Sequence, residues 1–185
     1  MTIVGESQEG TIVDAQHLGR IFFIPTGITS EITSLKLING QRYDSSGGAI
    51  YNEGSLTLTN CNLTNNKASN YGGAIYNLGN LAIHDSVFIN NSAQVAGTIF
   101  NSLANLTTTG SVFTNNNATN GPGGAIVNSQ GSLTVYYNSF SGNEGSQGGA
   151  IYNQNSVGLV SVYENSFVGN FASNGGGVIS NSGVL

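Results

Sequence analysis

The chain carries very little charge. Only 7% of its 185 residues are Asp, Glu, Lys or Arg, against about 25% in an ordinary soluble domain. Its four basic residues, Arg20, Lys36, Arg42 and Lys67, stand against nine acids and leave a net charge of −5. So few cations cannot neutralise a phosphate backbone, which excludes nucleic acid as a partner. A single cysteine, Cys61, rules out an internal disulfide. No stretch approaches the ~20 apolar residues of a membrane-spanning helix, and the N-terminus lacks the basic and apolar regions of a secretory signal. The chain opens on a strand-like Thr2-Ile3-Val4 and closes at Leu185, partway into a further repeat. Both ends are read as cuts through a longer protein.

Scarcity of charge does not imply disorder, because 38% of residues are hydrophobic. The balance is made up by Asn, Ser, Thr and 27 Gly, a composition suited to short strands and tight turns. Polar, uncharged and repetitive sequence of this kind points to the cell surface or the extracellular space.

A hexapeptide recurs through the chain. Its copies read GGAIYN at Gly47, GGAIYN at Gly72, AGTIFN at Ala96, GGAIVN at Gly123, GGAIYN at Gly148 and GGVISN at Gly176. A second motif, an apolar residue followed three positions later by Asn, keeps step with it: Leu63 with Asn66, Phe88 with Asn91, Phe113 with Asn116, Phe140 with Asn143, and Phe167 with Asn170. A period near 25 residues is the signature of a stacked-coil solenoid. Small insertions before Gly123 and Gly176 belong in turns, where lengthening costs little.

Aligned on the second motif, the copies show period-two alternation, the mark of strands with one buried face. Leu56, Leu81, Leu106, Leu133 and Val160 form one inward column. Leu58, Ile83, Thr108, Val135 and Val162 form another, and the aromatic column and the Ile of each hexapeptide complete the set. Three strands per repeat, stacked on their neighbours about 4.8 Å apart, predict an all-β fold: a right-handed parallel β-helix, a single-stranded solenoid of about seven coils. A leucine-rich repeat has a comparable period, but its Leu-x-x-Leu-x-Leu core and helical periodicity are missing. Residues 1–46 lack the motifs yet contain strand-like runs, and are read as N-terminal coils of the same solenoid. Residues 47–185 hold five full repeats and a partial sixth.

Three polar columns lie among the apolar ones. Asn52, Asn77, Asn101, Asn128 and Asn153 end the hexapeptides; Asn66, Asn91, Asn116, Asn143 and Asn170 end the second motif; Cys61, Ser86, Ser111, Asn138 and Asn165 precede each aromatic by two positions. Amides stacked copy upon copy can hydrogen-bond along the axis, satisfying buried polar groups and pinning register. The columns are read as structural ladders.

Taken together, GGAIYN and Phe-x-x-Asn resemble the repeat of the polymorphic outer membrane proteins of chlamydial autotransporters, written there as GGA[I/L/V] and FxxN. The resemblance runs from Gly47 to the C-terminus, with departures at Ala96 and at Leu63. Asn-rich arrays of this kind are also similar to adhesin-like surface proteins of methanogenic archaea and some bacteria. The resemblance implies a β-helical module displayed outside the cell that attaches to a host or microbial surface protein or glycan.

The residues themselves argue against catalysis. Glycoside hydrolysis needs two carboxylates facing one bond, but Glu6, Glu9, Asp14, Glu31, Asp44, Glu53, Asp85, Glu144 and Glu164 are scattered, mostly in turns. Lyase chemistry needs a base, and no Lys or Arg follows Gly72. Asp44 and Glu53, flanking the first hexapeptide, are the one candidate acid pair. The calcium nonapeptide is missing and His17 and His84 do not cluster, so no metal or cofactor is expected. Cys61 reads as a small core residue. Regular Thr arrays that would suit ice binding are broken by Ala82, His84 and Tyr136.

The aromatic column Tyr51, Tyr76, Phe100 and Tyr152, with Val127 between the last two, is the candidate ligand-binding feature. Alternation places it outward, where flat rings can meet a glycan or protein or pack on one another and stiffen the sheet. Three readings remain: a non-enzymatic adhesin or stalk, a segment of a carbohydrate-active β-helix enzyme, and a spacer with no ligand. Open strand edges also predict end-to-end self-association of the isolated segment.

Overall fold

A computed structural model describes residues 1–154 and 158–183; the last two residues of the partial sixth repeat lie outside that span. No helix occurs among the described residues, and the strands form four parallel sheets that wrap one continuous core. One coil shows the plan. It runs through Ser55–Thr59, Asn62–Thr64, Lys67–Ala68 and Ile75–Asn77, and each strand pairs with its counterpart one repeat later. The sheets they belong to are called here the wide, phenylalanine, narrow and isoleucine sheets. Among the described residues they hold seven, seven, six and seven strands.

The coil therefore has four strands, not the expected three. The additional one is the narrow strand, two residues long, at Lys67–Ala68, Ser92–Ala93, Asn117–Ala118, Glu144–Gly145 and Phe171–Ala172. Two residues are too few to display an alternation. The signal that was present is the column Ala68, Ala93, Ala118, Gly145 and Ala172, small because this side of the coil turns tightly against the core.

Residues 1–46 enter the same sheets. Thr2–Val4 and Thr29–Thr33 stack beneath Ser55–Thr59, Ile12–Asp14 and Lys36–Ile38 beneath Asn62–Thr64, and Phe22–Ile24 beneath Ile50–Asn52. Glu9 accepts hydrogen bonds from Lys36 and Asn62, fastening an N-terminal loop to the first repeat.

Inside, residues of one kind stack on themselves. Phe88, Phe113, Phe140 and Phe167 pile face to face with centroids 4.8, 4.7 and 5.1 Å apart, one ring per coil. Ile50, Ile75, Ile99, Ile126 and Ile151 are fully enclosed, as are Leu56, Leu58, Leu63, Ile83, Leu106, Leu133 and Val135. Insertions fall in corners, as expected. The corner Thr119–Ala125 has seven residues between its strands, against five in the corners Gln94–Thr98 and Ser146–Ala150.

The polar columns are hydrogen-bonded ladders. Along the isoleucine sheet, Nδ2 of Asn52, Asn77, Asn101, Asn128 and Asn153 donates to Oδ1 of Asn77, Asn101, Asn128, Asn153 and Asn181, at 2.7–2.9 Å. At the end of the phenylalanine sheet, Asn66, Asn91, Asn116 and Asn143 donate likewise to Asn91, Asn116, Asn143 and Asn170 at 2.8–3.1 Å. The second N–H of Asn91 reaches Leu63 O, and that of Asn116 reaches Phe88 O, in the coil below. The Cys61 column adds a third ladder, in which backbone N–H groups of Cys61, Ser86, Ser111 and Asn138 donate to the side-chain oxygen one coil on. The amide-to-amide bonds, and the backbone bonds of the Cys61 column, all run from an earlier coil to a later one.

The paired glycines divide two tasks. The first takes a left-handed conformation, φ +62° at Gly72, and Ala96 tolerates φ 56° in its place, at a cost of about 1–2 kcal/mol. The second has no such freedom: a Cβ on Gly73 would lie 2.2 Å from Gly97 O and 2.6 Å from both Ser92 N and Ser92 O. Ala96 can therefore replace the first glycine, while the second remains Gly97. A further departure in that copy, Thr98 for Ala, buries a hydroxyl that has no partner among the described residues.

Two stability measurements check this account. Replacing Asn116 by Ala strands the amide and carbonyl partners of four buried hydrogen bonds and lowers stability by about 3 kcal/mol or more in denaturant unfolding, whereas exposed Lys67→Ala changes it by less than about 0.5 kcal/mol. Thr98→Ala removes an unsatisfied buried hydroxyl and raises stability by about 1 kcal/mol.

Candidate functional site

The isoleucine sheet turns Ile50, Ile75, Ile99, Ile126 and Ile151 inward, so the next residue of each strand lies on its outer face. In register along that face stand Phe23, Tyr51, Tyr76, Phe100, Val127 and Tyr152. The rings follow one another at 5.8 Å for Phe23 and Tyr51, 5.1 Å for Tyr51 and Tyr76, and 5.6 Å for Tyr76 and Phe100. Tyr71, from the corner before Gly72, leans on Phe100 at 4.7 Å and on Tyr76 at 6.2 Å. At the N-terminal end, the Arg20 guanidinium sits 4.7 Å from the centre of the Tyr51 ring and is held there by the carbonyls of Ser46 and Gly47. Burial, foremost, pushes the Tyr51 phenol above its ordinary range.

This face differs from a row of exposed rings. Phe100 is only 8% exposed and Val127 is fully covered; with Ala96 they form a small second core, sealed by Tyr76, Val95 and Tyr152. The cause lies in the corners, which fold back over the outer face of the sheet. Tyr51, Tyr76 and Tyr152 are half-buried, and Tyr152 is separated from the stack by Val127, its hydroxyl within 3.1 Å of Ser182 Oγ. Phe23 and Tyr71, at 53% and 41% exposure, are the more open members. Neither was singled out by the repeat. Phe23 was detectable only as an aromatic 28 residues before Tyr51, and Tyr71 as the residue before a Gly-Gly pair.

A second aromatic group lies on the wide sheet. Tyr136 and Tyr163, outward on the wide sheet as expected, stack at 5.3 Å, and Tyr137 meets Tyr136 edge-on at 5.7 Å. Tyr137 occupies a left-handed corner, φ 57°, where other coils place Asn60, Asp85 and Gly110. Its hydrogen bond with Glu164 is the leading reason its phenol is pushed up.

The acids remain dispersed. Asp44 lies 3.4 Å from Arg42, and Glu53 accepts from Thr26 Oγ1 at 3.5 Å, so each member of the candidate pair has its own neighbour. Asp14 accepts from Asn39 and the Gln16 N–H, which hold its carboxyl below the usual range. No group of three His, Cys, Asp or Glu side chains that could hold a metal occurs among the described residues. Cys61 is buried, and its thiol donates to the Ile32 and Thr59 carbonyls.

Comparison with known families agrees with the motifs. Residues 60–78 and 139–154 match the Chlamydia polymorphic membrane protein repeat, and each match includes the second motif's Asn and a following GGAIYN. Neither a curated protein nor a solved structure matches the chain.

Burial pushes the Cys61 thiol above its ordinary range, so the nucleophilic thiolate is scarcer than in a free cysteine at any pH near neutrality. Ellman's reagent at pH 8 is therefore expected to label the native chain at least 100-fold more slowly than the chain in denaturant. Equal rates would show that the ladder column is open.

Proposed function

We propose that the chain is a non-enzymatic module of a surface protein, an adhesin-like stalk that holds its lateral faces out towards a host cell, another microbe or their glycans. The observation that carries this reading is the division of labour across the coil. Among the described residues, inward positions are filled by stacks of like side chains and by ladders. Outward positions vary from coil to coil while their backbone spacing stays constant, and this gives a repetitive surface on which weak contacts add. The match to a membrane protein repeat supports placement at the cell surface.

An enzymatic reading finds little support, because the acids do not converge and the coils after Gly72 contain no Lys or Arg. Within the isoleucine sheet, the proposed contact surface is the set of half-open rings, Tyr51 and Tyr76 with Phe23 and Tyr71. Phe100 anchors them from beneath, and Tyr152 forms a separate contact.

The test is attachment of the fluorescently labelled chain to a panel of animal and microbial cells, with the Tyr51→Ser/Tyr76→Ser/Tyr152→Ser variant as the comparison and circular dichroism to establish that both are folded. Attachment reduced at least fivefold in the folded variant is the expected result. Equal attachment removes the rings from the contact surface, and no attachment by either protein favours a spacer.

A further inference from the structure

A pronounced concavity lies on the narrow sheet, away from the aromatic column. It is a groove of about 550 Å³ that crosses three successive coils at Asn117–Asn120, Glu144–Ser146 and Ser173–Asn174. Its origin is local. The narrow strands place small residues, Ala118 and Gly145, at the floor, and the long corner Thr119–Ala125 builds up one wall. That corner is fastened to the next coil by Ser146 N–H donating to Gly121 O at 2.8 Å.

The chemistry of the lining differs from that of every buried column. Asn117, Asn120, Glu144, Ser146, Ser173 and Asn174 all line the groove, and none of their side chains is hydrogen-bonded to another described residue, although backbone N–H groups along the groove are paired with the neighbouring coil. Asn116, immediately before the groove, uses its side chain fully in the ladder. Six free amide, hydroxyl and carboxylate groups therefore face one open channel. They supply both donors and acceptors, which suits a ligand covered in hydroxyls.

An aromatic ring stands beside the groove, next to its lining in the sheet. Asn117, Glu144 and Phe171 are consecutive partners in the sheet, so an amide, a carboxylate and a ring occupy three rungs that span about 10 Å. Phe171 is 57% exposed, and its flat apolar face can cover the C–H face of a sugar while the carboxylate and amide take its hydroxyls. The volume falls within the ~300–1,000 Å³ of small-molecule clefts. Glu144 is the one acid in the lining, and a single carboxylate cannot carry out two-acid glycoside hydrolysis. The groove therefore binds and does not cleave. With no Lys or Arg after Gly72 and a carboxylate at its centre, it repels acidic sugars.

We infer that this groove is a binding site for an uncharged oligosaccharide of two or three sugar units, built from neutral hexose or N-acetylhexosamine. The inference rests on the reading of the chain as a module that presents its lateral faces, and it names a ligand class on a face not covered by the aromatic column.

The test is a glycan array carrying neutral, uronate-containing and sialylated oligosaccharides, followed by calorimetry with the neutral ones retained. The intact chain is expected to retain neutral glycans and not acidic ones. Phe171→Ser is expected to weaken binding at least tenfold and Glu144→Ala at least fivefold, with unchanged circular dichroism, while Lys67→Ala, two coils away in the same column, leaves it unchanged. Glu144→Gln keeps the neutral glycans and relaxes the exclusion of acidic ones. Retention of no oligosaccharide, preference for acidic ones, capture of peptides alone, or equal affinity in both the Phe171→Ser and Glu144→Ala variants overturns the proposal. Loss of oligosaccharide binding in Phe171→Ser with cell attachment intact supports the groove and shows that attachment uses another face. No glycan binding by the intact chain, with cell attachment intact, overturns the groove and leaves the stalk reading standing.

Discussion

The amide-to-amide hydrogen bond between coils is the constraint from which the rest of the structure follows. Strand pairing alone would allow a coil to slip along its neighbour, because backbone groups are alike at every residue. A buried amide cannot slip, since a shift of one residue would take it off its amide partner and leave several polar atoms unpaired in the core. Two asparagine ladders and the Cys61 column, at separate corners of the coil, thus fix register at three points. Once register is fixed, phenylalanine must meet phenylalanine and isoleucine must meet isoleucine, and length changes are confined to the corners between them.

Much of this was legible in the amino-acid sequence, because a coil that stacks on copies of itself repeats its chemistry. The inward columns, both asparagine ladders and the corner insertions were all visible as periodic features. What escaped notice was short or aperiodic. The narrow strands are two residues long, so only their column of Ala and Gly betrayed them. The covering of Phe100 depends on the path of a corner, which alternation does not describe. The groove at Asn117 and Glu144, with Phe171 beside it, is assembled from outward residues that differ in every coil, so no column of like residues marks it. Asparagine also has a second use: Asn65, Asn90 and Asn115, each just before a ladder Asn, hold left-handed corners, a role unrelated to the ladders.

The same contrast separates stability from recognition. Interior identity is enforced by neighbours above and below, and a change there is felt by two coils at once. The exterior is free of that demand, so one coil can carry Val where the next carries Tyr, or Glu where the next carries Phe. Departures inside, such as Thr98 with its unpaired hydroxyl, have a local energetic cost, while departures outside are the material from which distinct surfaces arise on an unchanging frame.

The common direction of the ladder bonds gives the array a sense. In each ladder one N–H of an amide meets the amide oxygen of the following coil, and its own oxygen accepts from the preceding one, so the two ends of any stretch of coils are complementary rather than alike. An inverted coil would bring donor against donor. Such an array has no two-fold relation with itself along its axis, and it can lengthen only by units laid head to tail. Tandem duplication of a 25-residue unit is the genetic event that matches this geometry, whereas insertion of a reversed or unrelated segment within a strand would interrupt all three ladders together.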